Sequence, residues 1–99
     1  MAVQDCFVSS ASFWEIAIKV SLKRLHLPDT MDRYVTAQMS ANGFDQLPIN
    51  LSHIARCASL AWHHRDPFDR LLICQAHEEG LSIVSRDRVL DAYGVQRIW

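Results

Sequence analysis

Short apolar runs alternate with polar breaks along the chain, and their periods predict strands followed by helices. Cys6-Phe7-Val8-Ser9 is a β-prone run, so the chain opens on a strand over 6–9. From residue 12 to about 25 apolar side chains cover nearly all sides of a helix. Phe13, Ile16, Ala17 and Val20 fall on one side and Trp14, Ile18, Leu22 and Leu25 on another, which leaves only the Glu15, Lys19, Lys23 row polar. Leu27-Pro28-Asp29 breaks that helix, and Asp29 or Thr30 caps a second one that runs to about residue 41, where Asn42-Gly43 stops it. Residues 44–49 form a short extended run whose Pro48 suits an edge strand. Asn50 or Ser52 then starts a third helix, with Ile54, Ala55, Ala58, Leu60 and Ala61 at helical spacing.

In His63-His64-Arg65-Asp66-Pro67-Phe68-Asp69-Arg70-Leu71-Leu72 a polar loop turns into an apolar helix within three residues. Pro67 suits the first helical position, where its missing N–H costs nothing. Asp66 then falls at the N-cap and Asp69 at N3, near the positive end of the helix dipole. Leu72, Ile73 and Ala76 follow Asp69 at i+3, i+4 and i+7, which turns this carboxylate toward the core side. The helix ends at Gly80, and a strand over 81–84, a short helix over 86–92 and a last strand over 95–99 complete the chain. Strands alternating with helices imply parallel β-α units with right-handed crossovers, hence a three-layer α/β fold with a short parallel sheet. No repeat, low-complexity tract or linker interrupts residues 1–99, which predicts a single domain.

Composition narrows the picture a little. A length of 99 residues with 49% hydrophobic and 21% charged content describes one soluble globular domain. The net charge of −1 gives no overall footprint for nucleic acid and leaves a local basic patch open. Cys6, Cys57 and Cys74 are odd in number and lack C-x-x-C spacing, so they are expected as small buried hydrophobes of a reducing compartment. With neither an 18-residue apolar run nor a signal-peptide pattern, the expectation is a cytoplasmic protein without membrane association.

The acidic residues carry the candidate chemistry. Glu15 falls in the first turn of the helix after strand 6–9, Asp69 in the first turn of the Pro67 helix, and Asp87 just after strand 81–84. In parallel α/β sheets the carboxyl ends of strands and the amino ends of the following helices share the edge where ligands bind. Carboxylates clustered there raise one another's pKa unless a cation sits among them, and an oxygen-only set points to Mg²⁺ or Mn²⁺ rather than zinc. Each acid also has a local explanation. Ser12-Phe13-Trp14-Glu15 is an S-x-x-E capping box with a Glu15–Lys19 pair, Asp66 and Asp69 complement a dipole, and Asp87 caps a helix or pairs with Arg86 or Arg88. His63-His64 lacks the carboxylate–histidine spacing of a metal site, and Trp14, Trp62 and Trp99 fit core or interface positions. Arg65, Arg70, Arg86 and Arg88 crowd the acids, either as counter-charge or to contact phosphates or a partner's acidic segment.

Val8-Ser9 running into Ser12-Phe13-Trp14-Glu15-Ile16-Ala17-Ile18-Lys19, then Leu47-Pro48-Ile49, the His64 to Leu72 stretch, Val84-Ser85-Arg86-Asp87 and Tyr93-Gly94-Val95 to Ile98-Trp99 together resemble the PIN domain of VapC-type toxins. The resemblance implies a Mg²⁺- or Mn²⁺-dependent endoribonuclease that cleaves RNA, is held inactive by a cognate VapB-like antitoxin, and commonly pairs as a homodimer. By motif position Glu15, Asp69 and Asp87 match the family's second, third and fourth acidic residues and are its catalytic and metal-binding set. Ser85 matches the small hydroxyl residue before the last acid, and Asp66 is an accessory carboxylate. Family members begin with a central strand ending in an aspartate, followed by a helical segment, whereas here five residues precede Cys6 and Asp5 stands before a strand. The expectation is therefore an N-terminally truncated PIN-like chain, whether fragment, late start or gene remnant, with impaired nuclease activity. The alternative is a non-catalytic module that binds and titrates the antitoxin.

Overall fold

The computed structural model describes residues 6–98, which divide into two units, one ending at Pro48 and the other beginning at Ile49. Trp99 lies outside the described residues.

In the first unit β1 (Cys6–Ser9) leads into α1 (Ser10–Ser21), and α2 (Met31–Asn42) into β2 (Phe44–Leu47). The two strands pair in parallel, with Cys6 opposite Phe44 and Ser9 opposite Leu47. The helix starts two residues earlier than its apolar pattern predicts. Ser9 is still extended at φ −67° and ψ 143°, and its hydroxyl accepts from the Ala11 N–H at 3.0 Å, so Ser9 takes the cap that was expected of Ser12. The Ser12–Glu15 capping box is therefore not made, and Glu15 lies beyond the first turn rather than within it. The helix also stops short of residue 25, with Lys23 in the left-handed region at φ 58°. Gly43 ends α2 in that region at φ 65°, which glycine adopts without a Cβ clash. Pro48 falls just outside β2.

The second unit contains α3 (Leu51–Cys57), α4 (Pro67–Glu79), β3 (Ile83–Val84), a 3₁₀ helix (Arg88–Tyr93) and β4 (Arg97–Ile98). Asn50 caps α3 in a reciprocal box: its side chain accepts from the His53 N–H at 3.1 Å, and His53 Nδ1 accepts from the Asn50 N–H at 3.2 Å. His53 is buried with Ile73, Cys74, Gln75 and Ala76 of α4 and Leu90 of the 3₁₀ helix, and these side chains form the unit's core. Gly80 closes α4 at φ 66°. Strand β3 pairs in parallel with β4, Ile83 opposite Arg97 and Val84 opposite Ile98.

The α/β class and the parallel pairing agree with the alternating pattern. The described strands form two separate parallel pairs, one in each unit, where one sheet was expected. Cys74 is buried and Cys57 half-buried as expected of small apolar residues, but Cys6 is exposed. Trp14 and Trp62 are 62% and 76% exposed, so neither is a core residue. Among the described residues no helix is long and apolar enough to cross a membrane.

Candidate metal centre

The start of α4 fixes the first carboxylates. Pro67 occupies the first helical position, and the Asp66 side chain accepts from the Phe68 and Asp69 N–H groups at 2.8 and 3.2 Å. Asp66 is thus engaged as an N-cap through Oδ1. Asp69 follows at N3, and Ile73 and Ala76 on its side of the helix are buried, so its direction is set by core packing.

Asp87 is fixed in the same manner at the start of the 3₁₀ helix. Its Oδ1 accepts from the Val89 N–H at 3.0 Å, while its own N–H donates to Ser85 Oγ at 3.1 Å. Ser85 therefore sets the backbone of the acid rather than facing outward alone. The Val89 N–H and, after it, the His64 ring hold the Asp87 carboxyl below the usual carboxylate range.

His64 lies between the two acids. Its Nε2 is 3.0 Å from Asp87 Oδ2 and 3.2 Å from Asp69 Oδ2, and the three ligand-type atoms lie within 4.8 Å of one another. The Nδ1 atom accepts the Asp66 N–H at 3.0 Å, so the hydrogen-bond pattern assigns the ring proton to Nε2, which donates to the carboxylates. The spacing of His63-His64 gave no sign of this arrangement. The partners lie 5 and 23 residues away, and only the Asp66 amide, two residues on, turns the ring toward them.

The loop that carries His64 is pinned from beneath by Arg70 and Tyr93. Arg70 is 4% exposed, and its guanidinium donates to the carbonyls of Ala61 at 2.8 Å, Leu60 at 3.1 Å, and Cys57 and His64 at 3.4 Å. Tyr93 Oη accepts from the His63 and His64 N–H groups at 2.9 Å and donates to the Ala61 carbonyl at 2.7 Å. Trp62 lies over the Arg70 guanidinium at 3.6 Å, which accounts for an indole held in place yet largely exposed. Arg70 was expected to contact RNA or a partner, and its burial and internal bonds place it instead beneath the loop. Arg65, Arg86 and Arg88 are exposed.

Glu15 belongs to the first unit, where its carboxylate lies 3.7 Å from Lys19 Nζ across one turn of α1. In the second unit the structure brings Asp69 and Asp87 together and adds His64 to them. The donor set suits a hard divalent cation, since two carboxylate oxygens converge on one point and no thiolate is among them.

Comparison with curated proteins and with solved structures gives no match. The family model of the PIN domain, in contrast, matches residues 1–96, almost the whole length. On that match, and with its parallel α/β units and paired acids at helix starts, the chain belongs to the PIN domain family.

Proposed function

We propose that this PIN domain is the toxin component of a type II toxin–antitoxin pair of the VapC type, a Mg²⁺- or Mn²⁺-dependent endoribonuclease restrained by a VapB-like antitoxin. PIN domains are in general metal-dependent nucleases. The observation that carries the reading here is the convergence of Asp69 and Asp87 on one point from two separate helix starts. Local capping accounts for each acid alone but does not require the two to meet.

In this reading Asp69 and Asp87 hold the cation, and Glu15 joins them on the strength of the motif match. A bound divalent cation supplies an activated water and stabilises charge on a phosphodiester undergoing displacement. The chain's own part is positional. Asp66 orders the first turn of α4 and thereby the Asp69 backbone, Ser85 orders that of Asp87, and Arg70 with Tyr93 holds the adjoining loop. Exposed Arg65, Arg86 and Arg88 supply positive charge for RNA phosphates or for acidic residues of the antitoxin.

The test is calorimetric titration of the full chain with Mn²⁺, alongside RNA cleavage with and without chelator. The expected result is saturable binding that Asp69→Asn and Asp87→Asn each weaken at least tenfold, and impaired RNA cleavage that is lost altogether on chelation. Undetectable binding, or binding indifferent to both substitutions, overturns the proposal.

A further inference from the structure

The His64 ring stands where the two acids converge, and its tautomer decides what it does there. Nδ1 is occupied as an acceptor by the Asp66 N–H at 3.0 Å, so the neutral ring points an N–H, and no lone pair, at Asp69 and Asp87. A metal-bound imidazole requires the opposite arrangement, with a lone pair at the ligating nitrogen and the proton on the other, where a carbonyl or carboxylate accepts it. Here the group facing the other nitrogen is itself a donor, and it is backbone, so a side-chain flip elsewhere does not reverse it.

Resting on the metal reading of this site, we propose that His64 is an internal occupant of the cation seat, whose Nε2–H bridges Asp69 and Asp87 until a divalent cation displaces it. The ring is a placeholder and a competitor, and not a ligand. Its bridging proton satisfies two carboxylate oxygens that would otherwise face each other within 4.8 Å, and so keeps the metal-free site assembled. The backbone on either side is pinned, since the His64 N–H donates to Tyr93 Oη at 2.9 Å and its carbonyl accepts from Arg70 at 3.4 Å. Displacement therefore takes a turn of the side chain and leaves the loop in place. The ring is 19% exposed, so part of it already reaches solvent.

Two readouts, neither of them catalytic, test this on the full chain. In calorimetry with Mn²⁺, His64→Ala is expected to bind about tenfold more tightly than the native protein, because the cation no longer competes with hydrogen bonds to two charged groups. Weaker binding shows that His64 ligates the cation or supports the site more than it competes, and equal binding that it does not compete; either overturns the inference while the metal reading stands. If neither protein binds Mn²⁺, both fall together. Should His64→Ala fold poorly, the native protein answers through ¹⁵N NMR of its histidine rings during Mg²⁺ titration at constant pH. A displaced His64 leaves both carboxylates and the Asp66 N–H, so its ring nitrogens shift toward those of a solvent-exposed imidazole, whereas a proton fixed on Nδ1, as in a metal-bound ring, or no change at saturation, overturns the proposal.

Discussion

At the scale of single residues, Asp66 separates capping from metal binding. Its Oδ1 serves two backbone N–H groups at the start of α4, so Asp66→Ala is expected to cost about 1 kcal/mol and to lower the melting midpoint by about 4–8 °C. Mn²⁺ affinity should change by less than about threefold, since the cap supports Asp69 without replacing it; a loss as large as that of Asp69→Asn would make Asp66 a ligand. A pH dependence follows from Asp91, whose carboxyl is held below the usual range chiefly by hydrogen bonds from Arg97 at 2.8 and 3.2 Å. Its folded pKa lies below the unfolded value of about 4, so its contribution is complete above that value and fades as pH falls through the folded one. The same contact raises the pKa of Arg97, whose contribution is already complete at every pH below its ordinary value and adds no slope in the acid range. In thermal melts between about pH 5 and pH 2, Asp91→Asn should therefore show a shallower acid loss than the native protein. Superimposable acid limbs would show that the pair contributes nothing to folding.

At the scale of elements, the link between α3 and α4 depends on one buried guanidinium. The apolar spacing of Ile54, Ala55, Ala58, Leu60 and Ala61 predicts a longer α3, yet the helix ends at Cys57 and the carbonyls of Cys57, Leu60 and Ala61 turn to Arg70. Removing Arg70 leaves the carbonyls of Cys57, Leu60, Ala61 and His64 without this donor. Arg70→Met is expected to destabilise the chain by about 3 kcal/mol in urea unfolding, and Arg70→Lys to recover only part of this, because an ammonium lacks the planar fork. Tyr93→Phe removes the acceptor shared by the His63 and His64 N–H groups, the first of them exposed, and should cost about 1 kcal/mol. A loss under about 0.5 kcal/mol for both Arg70→Met and Tyr93→Phe would mean that the loop holds itself. These elements also show where sequence reasoning reaches. Asp66, Pro67, Asp69, Gly43 and Gly80 were legible because capping and left-handed stops are settled within a few residues. Ser9 was not, because Ser9, Ser10 and Ser12 are all competent caps and strand pairing with β2 chose among them. Arg70 and His64 escaped because their partners are loop carbonyls and distant acids, which leave no periodic trace.

At the scale of the whole molecule, what remains to be joined is Glu15, which stands in the first unit while Asp69 and Asp87 stand in the second. Two accounts of Glu15 differ in what they predict for a single substitution. If it serves only α1, its value is that of an exposed i,i+4 pair with Lys19, about 0.3–0.5 kcal/mol, and Glu15→Gln lowers stability by that amount whether or not metal is present. If it helps to hold the cation, the metal-free protein still changes by no more than that, but the metal-loaded one loses far more. Ligand binding stabilises the native state by RT ln(1 + [L]/Kd), about 2.7 kcal/mol at a concentration one hundred times Kd. A tenfold loss of affinity at that same concentration removes about 1.3 kcal/mol of this, enough to separate from the helix pair. We expect the second pattern, a midpoint for Glu15→Gln close to native in chelator and several degrees below it in saturating Mn²⁺, with Lys19→Ala shifting neither by more than the pair is worth. Equal shifts under both conditions would return Glu15 to the helix and leave Asp69 and Asp87 as the carboxylates of the site.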